Sequence, residues 1–270
     1  MKIDLHTHSN ASDGELSPAA LVRLASDAGV DMLSITDHDT LAAYADLRTP
    51  DAMRLIPGIE LSSHWLKHGV HIVGLNLDLA SPAIAAAIAR QQEARLLRAE
   101  RIADRLLAGG IGIDLSQVLE RAAGGSVGRP HFAAELVESG IAKDRRTAFR
   151  KYLGAGKAGD VKTLWPKMDE VIGWIRDAGG CAVLAHPAKY RLTWTRLRLL
   201  ITDFERAGGG ALELVCGPQT PELTRRLAAL AVDHGLAVSG GSDFHAPNPW
   251  CRLGTDAAPL EAAGAVWETW

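Results

Sequence analysis

Short runs of strand-forming residues recur along this chain, and most carry a histidine or an acid. They are "KIDLHTH", "DMLSITDH", "RLIPGIELS", "GVHIVGLNL", "CAVLAHP" and "LAVSGGSDFH", with "ALELVCG" and a weaker "CRLGT" beside them. Side chains at i and i+2 leave a strand on the same face. His6 and His8 therefore aim at one point, as do Asp243 and His245. Asp13 follows in the first loop, His38 stands between Asp37 and Asp39, and Glu60, His71 and His186 mark three further runs.

Helical patterns separate several of these runs. "SPAALVRLASDAG" reads as a helix with Ser17 as N-cap, Pro18 in the first turn and Gly29 as the stop. "MDEVIGWIRDAGG" and "PELTRRLAALAVDHG" follow the same scheme. Strands alternating with helices predict βα units around a parallel sheet, and 270 residues suit an α/β barrel with a small insertion. The centre breaks the rhythm. One long helix is predicted over 82–108, followed by "DLSQVLERAAGG", "RPHFAAELVESG" and "KDRRTAFRKYLG", each stopped by glycine. Four helices with no strand between them predict an all-helical subdomain, 81–167, set between barrel segments 1–80 and 168–270. It holds 15 Lys and Arg against 9 Asp and Glu, whereas the remainder holds 14 against 23. A basic insertion in an acidic remainder predicts two parts with different jobs.

In an α/β barrel the active site is built at the C-terminal ends of the strands. His6, His8, Asp13, His38, Glu60, His71, His186, Asp243 and His245 are predicted to converge there. Imidazoles and carboxylates suit divalent zinc, manganese or iron. The set is too large for one ion with about four to six ligands and fits two or three. His64, His68 and His234 lie off the strand ends and read as surface residues, and Cys216 as a core thiol. The three scattered cysteines, Cys181, Cys216 and Cys251, predict a reducing compartment and no disulfide framework. No run approaches the ~20 apolar residues of a membrane span, and no apolar signal core follows Lys2. The cytoplasm is the expected location. A net charge of −3 argues against a surface that coats nucleic acid.

Taken in order, "DLHTHSNASDG", "ITDHDT", "GIELS", "HIVGLNLD", "GRPHFA", "AHP" and "GSDFH" resemble the polymerase-and-histidinol-phosphatase (PHP) family of phosphoesterases over nearly the whole chain. The resemblance implies a distorted (β/α)7 TIM-like barrel and three divalent metal ions, with manganese the first expectation and zinc or iron the alternatives. It implies that His6, His8, Glu60 and Asp243 hold one ion. Glu60 would bridge to a second ion held by His71 and His186, and Asp13, His38 and His245 would hold the third. Asp13 stands where some relatives carry histidine, which alters ligand softness and not ligand count. The branch with a helical insertion after the fourth strand is the most similar. Its members hydrolyse nucleotide phosphate esters, including 3′,5′-bisphosphonucleotides, and some trim short 5′-phosphorylated RNA. "GRPH" and "YLGAGKAG" are similar to that branch's phosphate-contacting segments, which implies Arg129 and Lys157 as substrate contacts; His131, two residues after Arg129, is expected to line the mouth.

Clustered divalent ions lower the pKa of bound water toward ~7 and neutralise phosphate oxygens. A metal-bridging hydroxide is thus the expected nucleophile, with Glu60 and Asp243 as catalytic carboxylates. The leaving-group acid is left between His131 and a metal-bound water. Arg129 or Lys157 would grip non-bridging oxygens, arginine by its fork. Arg98, Arg101 and Arg105 fall at i, i+3 and i+7 of the long helix and are expected to share a face that holds a second phosphate. The resulting expectation is a phosphatase that removes the 3′-phosphate of nucleoside 3′,5′-bisphosphates, giving a nucleoside 5′-monophosphate. The alternatives are a 5′-to-3′ exonuclease on short 5′-phosphorylated RNA, a histidinol-phosphate phosphatase, and an amidohydrolase-type deaminase. The last usually bridges its metals with a carboxylated lysine, and no strand-end lysine stands in such a place. A non-enzymatic remnant would have lost ligands, and none is missing. A nucleotide or short RNA is the expected partner, with no membrane and no obligatory protein.

Overall fold

The computed structural model describes residues 1–123, 125–161, 164–248 and 252–270. Cys251 and the start of "CRLGT" lie outside them. Strand β1 (Lys2–Thr7) leads to helix α1 (Pro18–Asp27), which Ser17 caps by accepting the Ala20 amide. Strands β2 (Met32–Ile35), β3 (Arg54–Leu55), β4 (Gly58–Trp65) and β5 (His68–Leu75) follow. Then come helices α2 (Pro82–Ala108), α3 (Leu115–Arg121), α4 (Arg129–Glu138) and α5 (Arg145–Ala148). Asp114 and Asp144 cap α3 and α5 with side-chain oxygens, satisfying amides that a helix start leaves open. The chain closes with α6 (Met168–Asp177), β6 (Cys181–Leu184), α7 (Trp194–Arg206), β7 (Ala211–Cys216), α8 (Pro221–Asp233), β8 (Ala237–Gly241), β9 (Thr255–Asp256) and α9 (Ala258–Glu261). Among the described residues no helix is long and apolar enough to cross a membrane.

The fold is mixed α/β, and its strands form two sheets, ordered β3-β2-β1-β9 and β4-β5-β6-β7-β8. The wholly parallel arrangement expected from the strand–helix alternation is not what forms. "RLIPGIELS" is two strands, broken at Pro57, whose ring removes a ladder donor. Leu66 and Lys67 turn β4 directly into β5, with Leu66 at φ 51°. A two-residue turn joins only antiparallel strands, so β5 runs against β4, and it pairs antiparallel with β6 as well. Neighbours β1–β2, β2–β3, β6–β7 and β7–β8 are parallel, and the short β9 pairs antiparallel with β1.

The sheets meet along two seams. At one, the His8 amide donates to Phe244 O at 2.8 Å and the Asp243 amide to His6 O at 2.8 Å. At the other, the Asp39 amide donates to Glu60 O at 2.9 Å and the Glu60 amide to Asp37 O at 3.3 Å. The first seam requires Gly241, because a Cβ there would lie 2.5 Å from the His6 nitrogen. The main core fills the space between the sheets and helices α6, α7 and α8, with Ile59, Ile72, Ile172, Leu184, Leu200 and Leu212 fully buried. A separate core around Ile102, Val118, Phe132, Leu136 and Leu153 holds the helical segment together. Helix α2 serves both. Ile84 and Ala87 near its start pack in the first core, and Ala99, Ile102 and Leu106 in the second.

Candidate metal centre

All nine predicted imidazoles and carboxylates come together where the two seams meet. Glu60, fully buried, is the hub. Its Oε1 lies 2.9 Å from His71 Nδ1 and 2.9 Å from His186 Nε2. Its Oε2 lies 3.0 Å from His38 Nδ1, 3.3 Å from His8 Nε2 and 3.4 Å from His6 Nε2. Asp243 Oδ1 approaches His8 Nε2 at 3.2 Å and His6 Nε2 at 3.5 Å. Asp13 faces His245 Nε2 at 3.3 Å, His38 Nε2 at 3.8 Å and His8 Nδ1 at 3.9 Å. Among the described residues five overlapping groups have the spacing to hold an ion: His6, His8 and Asp243; His6, Glu60 and His186; His38, Glu60 and His71; His8, Asp13, His38 and His245; and His6, Glu213 and Cys216.

Two of these residues arrive differently from the strand-end expectation. Glu60 and His71 lie inside β4 and β5. Because β5 runs antiparallel to β6, its first half sits beside the end of β6, where the Ala185 amide donates to His71 O at 3.2 Å. Asp39, His186 and Asp243 adopt left-handed backbone, with φ of 54°, 31° and 54°. Such strain persists only where the surroundings enforce it, and it gathers at functional sites. His64, His68 and His234 prove half-buried rather than surface-exposed. His64 Nδ1 sits 2.7 Å from Trp165 O, His68 stacks on Trp65, and His234 Nδ1 lies 2.8 Å from Glu205.

A ring of buried acids outside the cluster fixes its geometry. Asp37 accepts the Ser9 amide at 2.8 Å and the Ser12 hydroxyl at 2.6 Å, setting the loop that carries Asp13. Asp4 accepts the Ser242 amide at 2.8 Å and the Gly254 amide at 2.8 Å, setting the loop that carries Asp243 and His245. Burial raises Asp4 to about 6 against these hydrogen bonds. Glu213 on β7 lies 2.9 Å from His6 Nδ1 and accepts the His186 amide. It turns Nε2 of His6 toward Glu60 and Asp243. Sequence reasoning missed Glu213, although an acid amid the apolar residues of "ALELVC" was a usable signal. Lys189, three residues after His186, was also missed. Its Nζ lies 2.6 Å from Asp243 Oδ2. Cys216 is half-buried and groups with Glu213 and His6 rather than with the apolar core. Outer hydrogen-bond partners of metal-binding histidines are worth ~10–100-fold in metal affinity. Glu213→Gln is therefore expected to weaken manganese binding by ~10–100-fold with little loss of fold, read by titration calorimetry and circular dichroism. Unchanged affinity would exclude this orienting role.

The electrostatics favour added positive charge. Burial opposes charge on His8, yet Asp243 and Glu60 raise it to about 10. Burial likewise opposes charge on His6, and Glu213, Glu60 and Asp243 raise it well above its ordinary value. Burial disfavours the carboxylates, but His38, His71 and His6 hold Glu60 well below the usual range. His38 and His245 lower Asp13 in the same way, as His6 and His8 lower Asp243. For His71 burial wins, and it falls to about 4 despite Glu60. Among the described residues, His6 Nε2, both His8 nitrogens, His38 Nδ1, Glu60 Oε2 and His186 Nδ1 are buried without a hydrogen-bond partner. Orphaned buried polar atoms are rare in folded proteins. Those of His6, His8, His38 and Glu60 lie among the acids and imidazoles of the centre, and so many together fit a site that takes divalent cations.

The substrate-contact candidates spread around this centre. Arg129 is half-buried at the start of α4 and donates to Leu153 O at 3.3 Å. Burial lowers its pKa, with Arg95 adding to the effect. Lys157 is exposed in the turn after residue 153. His131 Nδ1 accepts the Gly128 amide at 3.0 Å, so the ring proton of its neutral form sits on Nε2. Burial lowers its pKa as well. Arg98, Arg101 and Arg105 stay on one side of α2, and Arg98 and Arg105 spend donors on the neighbouring Val161 and Asp160 carbonyls. Arg98 is buried against Trp165 and donates to Val161 O at 2.7 Å, whereas Arg101 and Arg105 are exposed. Arg95, one turn earlier, is turned toward the centre with Gln92 and is held by Asp39 at 2.6 Å.

A family model described as the PHP domain matches residues 4–114. The chain is 43% identical over 272 residues to the 5′-3′ exoribonuclease Rnm of Escherichia coli K12, covering 99% of this chain and 93% of that protein. It is 42% identical over 249 residues to the 3′,5′-nucleoside bisphosphate phosphatase of Chromobacterium violaceum, covering 91% and 87%. A solved structure from Chromobacterium violaceum, described as an amidohydrolase with bound sulfate and no metal, superposes with a TM-score of 0.88 at 38% identity, over 100% of this chain and 95% of that one. Near-complete coverage at this identity, on a fold whose seams gather a cation-seeking set of histidines and acids, means that the chain belongs to the PHP family of metal-dependent phosphoesterases.

Proposed function

We propose that this protein removes the 3′-phosphate of nucleoside 3′,5′-bisphosphates, yielding a nucleoside 5′-monophosphate and inorganic phosphate. The observation that carries the reading is the pairing of a cation-seeking centre at the seams with the half-buried Arg129 at the start of α4, close enough to Asp13 to feel its charge. Divalent ions held in the centre would supply a nucleophilic water near neutral pH and cancel charge on the phosphate oxygens. Three are expected, manganese first. His6, His8, Glu60 and Asp243 would hold one. Glu60, His71 and His186 would hold a second, and Asp13, His38 and His245 a third. Arg129, with Lys157, binds the 5′-phosphate that is not cleaved. Arg101, exposed on α2, could add only long-range attraction. His131 presents Nε2–H to the departing O3′, and Lys189 keeps Asp243 ionised and oriented. We read the two seams as closing the strands into a distorted seven-stranded barrel. Residues 81–167 then form a substrate cap that shares α2 with the barrel core. The half-buried free thiols of Cys181 and Cys216 support a cytoplasmic setting.

The test compares kcat/KM for adenosine 3′,5′-bisphosphate with that for 3′-AMP in manganese-loaded protein. A hydrogen bond to a charged group is worth ~1.5–3 kcal/mol, or ~10–100-fold. The bisphosphate is expected to be preferred by about that ratio, and Arg129→Met or Lys157→Met should remove most of the preference. Equal rates in the unmodified enzyme would defeat the assignment.

A further inference from the structure

Glu213 and Cys216 stand three residues apart on β7, a spacing that points side chains to opposite faces of a regular strand. The pairing of β7 with β8 shifts register between Glu213 and Val215, and such a bulge re-aims the side chains that follow it. As a result a Glu213 oxygen, Cys216 Sγ and a ring nitrogen of His6 all lie within 4.8 Å of one another. Glu213 meets His6 at Nδ1, 2.9 Å away, whereas Glu60 and Asp243 face Nε2. The trio therefore sits behind the nine-donor centre. A cavity of about 130 Å³ reaches it from outside, between the β6–α7 turn, which supplies His186 and Lys189, and α8, which supplies Leu223 and Leu227. That is room for an ion with its water. His186, 9% exposed, turns Nε2 to Glu60, and its Nδ1 is buried with no hydrogen-bond partner beside the same cavity.

This donor set differs in kind from the centre, whose nine donors include no sulfur. Thiolate draws softer cations, zinc ahead of manganese, and three protein donors with one open position suit zinc. Burial raises the Cys216 thiol, Glu213 and Asp243 add to the rise, and Lys189 opposes it. A bound ion removes that cost, because a coordinated thiol gives up its proton. Lys189 is the competitor for the place. Its ammonium lines the cavity and is held to Asp243 Oδ2 at 2.6 Å, but its side chain is 51% exposed and free to swing into solvent. Binding forms bonds from the ion to Sγ, to a Glu213 oxygen and to His6 Nδ1, and sends the thiol and Nδ1 protons to solvent. It also breaks the hydrogen bond by which Glu213 orients His6.

We infer that Cys216, Glu213 and His6 Nδ1 form a separate site for a thiophilic divalent cation such as zinc, and that filling it inhibits the manganese-loaded enzyme. Cobalt serves as the probe. Titrated into manganese-loaded protein, it should produce the thiolate-to-cobalt absorption of the near ultraviolet, which the sulfur-free centre cannot give. Cys216→Ser should abolish that band, and Cys181→Ser combined with Cys251→Ser should keep it. Lys189→Met removes the competing ammonium and should tighten cobalt binding by ~10-fold or more. With adenosine 3′,5′-bisphosphate as substrate, zinc should inhibit the manganese-loaded enzyme. Cys216→Ser should leave the uninhibited rate unchanged and raise the zinc concentration for half inhibition by at least the ~10–100-fold that an outer partner of a metal ligand is worth. No sulfur band in the unmodified protein, a band that outlasts Cys216→Ser, or cobalt binding indifferent to Lys189→Met overturns the site. Equal inhibition of the unmodified protein and Cys216→Ser overturns its link to activity. Failure to cleave the bisphosphate overturns the phosphatase reading alone, because the absorption needs no substrate and still judges the site.

Discussion

Glu60→Gln is expected to lower kcat/KM by ~10³-fold or more and to strip divalent ions from the protein, the largest effect of any single substitution here. The reason is position. One carboxylate touches His71 and His186 through Oε1 and His6, His8 and His38 through Oε2, in full burial. The amide keeps the shape and loses the charge that those five imidazoles share. Removing one partner of a buried ionic set costs ~3–5 kcal/mol, equivalent to ~10²–10⁴-fold in an equilibrium constant. Elemental analysis after manganese loading, phosphate release and circular dichroism separate loss of ions from loss of fold. A variant that keeps its ions and its rate would remove Glu60 from the centre.

Metal binding should strengthen steeply with pH while the metal-free fold weakens. His8 is raised from its ordinary 6.5 to about 10, so its proton stabilises the metal-free fold fully below ~6.5 and that contribution is lost as pH rises through ~10. His6 acts in the same direction. His71, lowered to about 4, works in a different window. Its contribution is complete above ~6.5 and is lost as pH falls toward 4. The depressed carboxylates Asp13, Glu60 and Asp243 contribute above ~4 and lose that contribution on further acidification. Metal-free protein should therefore be most stable near neutrality, and its Tm should fall between pH 7 and pH 10. Histidine must give up its proton to bind a metal, so the rise in Tm on adding manganese should widen over the same interval. Manganese titrated into weakly buffered protein at pH 7.5 should release protons. A Tm increment independent of pH, with no proton release, would contradict this account of the centre.

The nine donors were legible because they depend on short-range rules. Alternation along β1 puts His6 with His8, whereas Asp243 and His245 follow the end of β8, where Asp243 turns left-handed. The starts of α1, α3 and α5 were legible for the same reason, since a cap is a contact between neighbours in sequence. Glu213 was hidden because its partners, His6 and the His186 amide, are 207 and 27 residues away. The surroundings of the arginine face of α2 were misread because helical spacing gives relative direction and not absolute rotation. That rotation was set by Ile84 and Ala87 packing on the sheets and by Trp165, which drew Arg95 and Arg98 inward and left Arg101 outside.

By itself, then, the sequence determined the chemistry on offer: imidazoles and carboxylates at strand ends, a basic helical segment, and an α/β alternation with enough apolar residues for a core. Only the tertiary structure decided strand direction, the β4–β5 hairpin and the two seams. Hydrogen-bond pairing between distant strands, and helix packing, choose among arrangements that the same local pattern permits equally. Glu60 and His71 reach the centre because of that choice, from within strands, and not because their own runs end there.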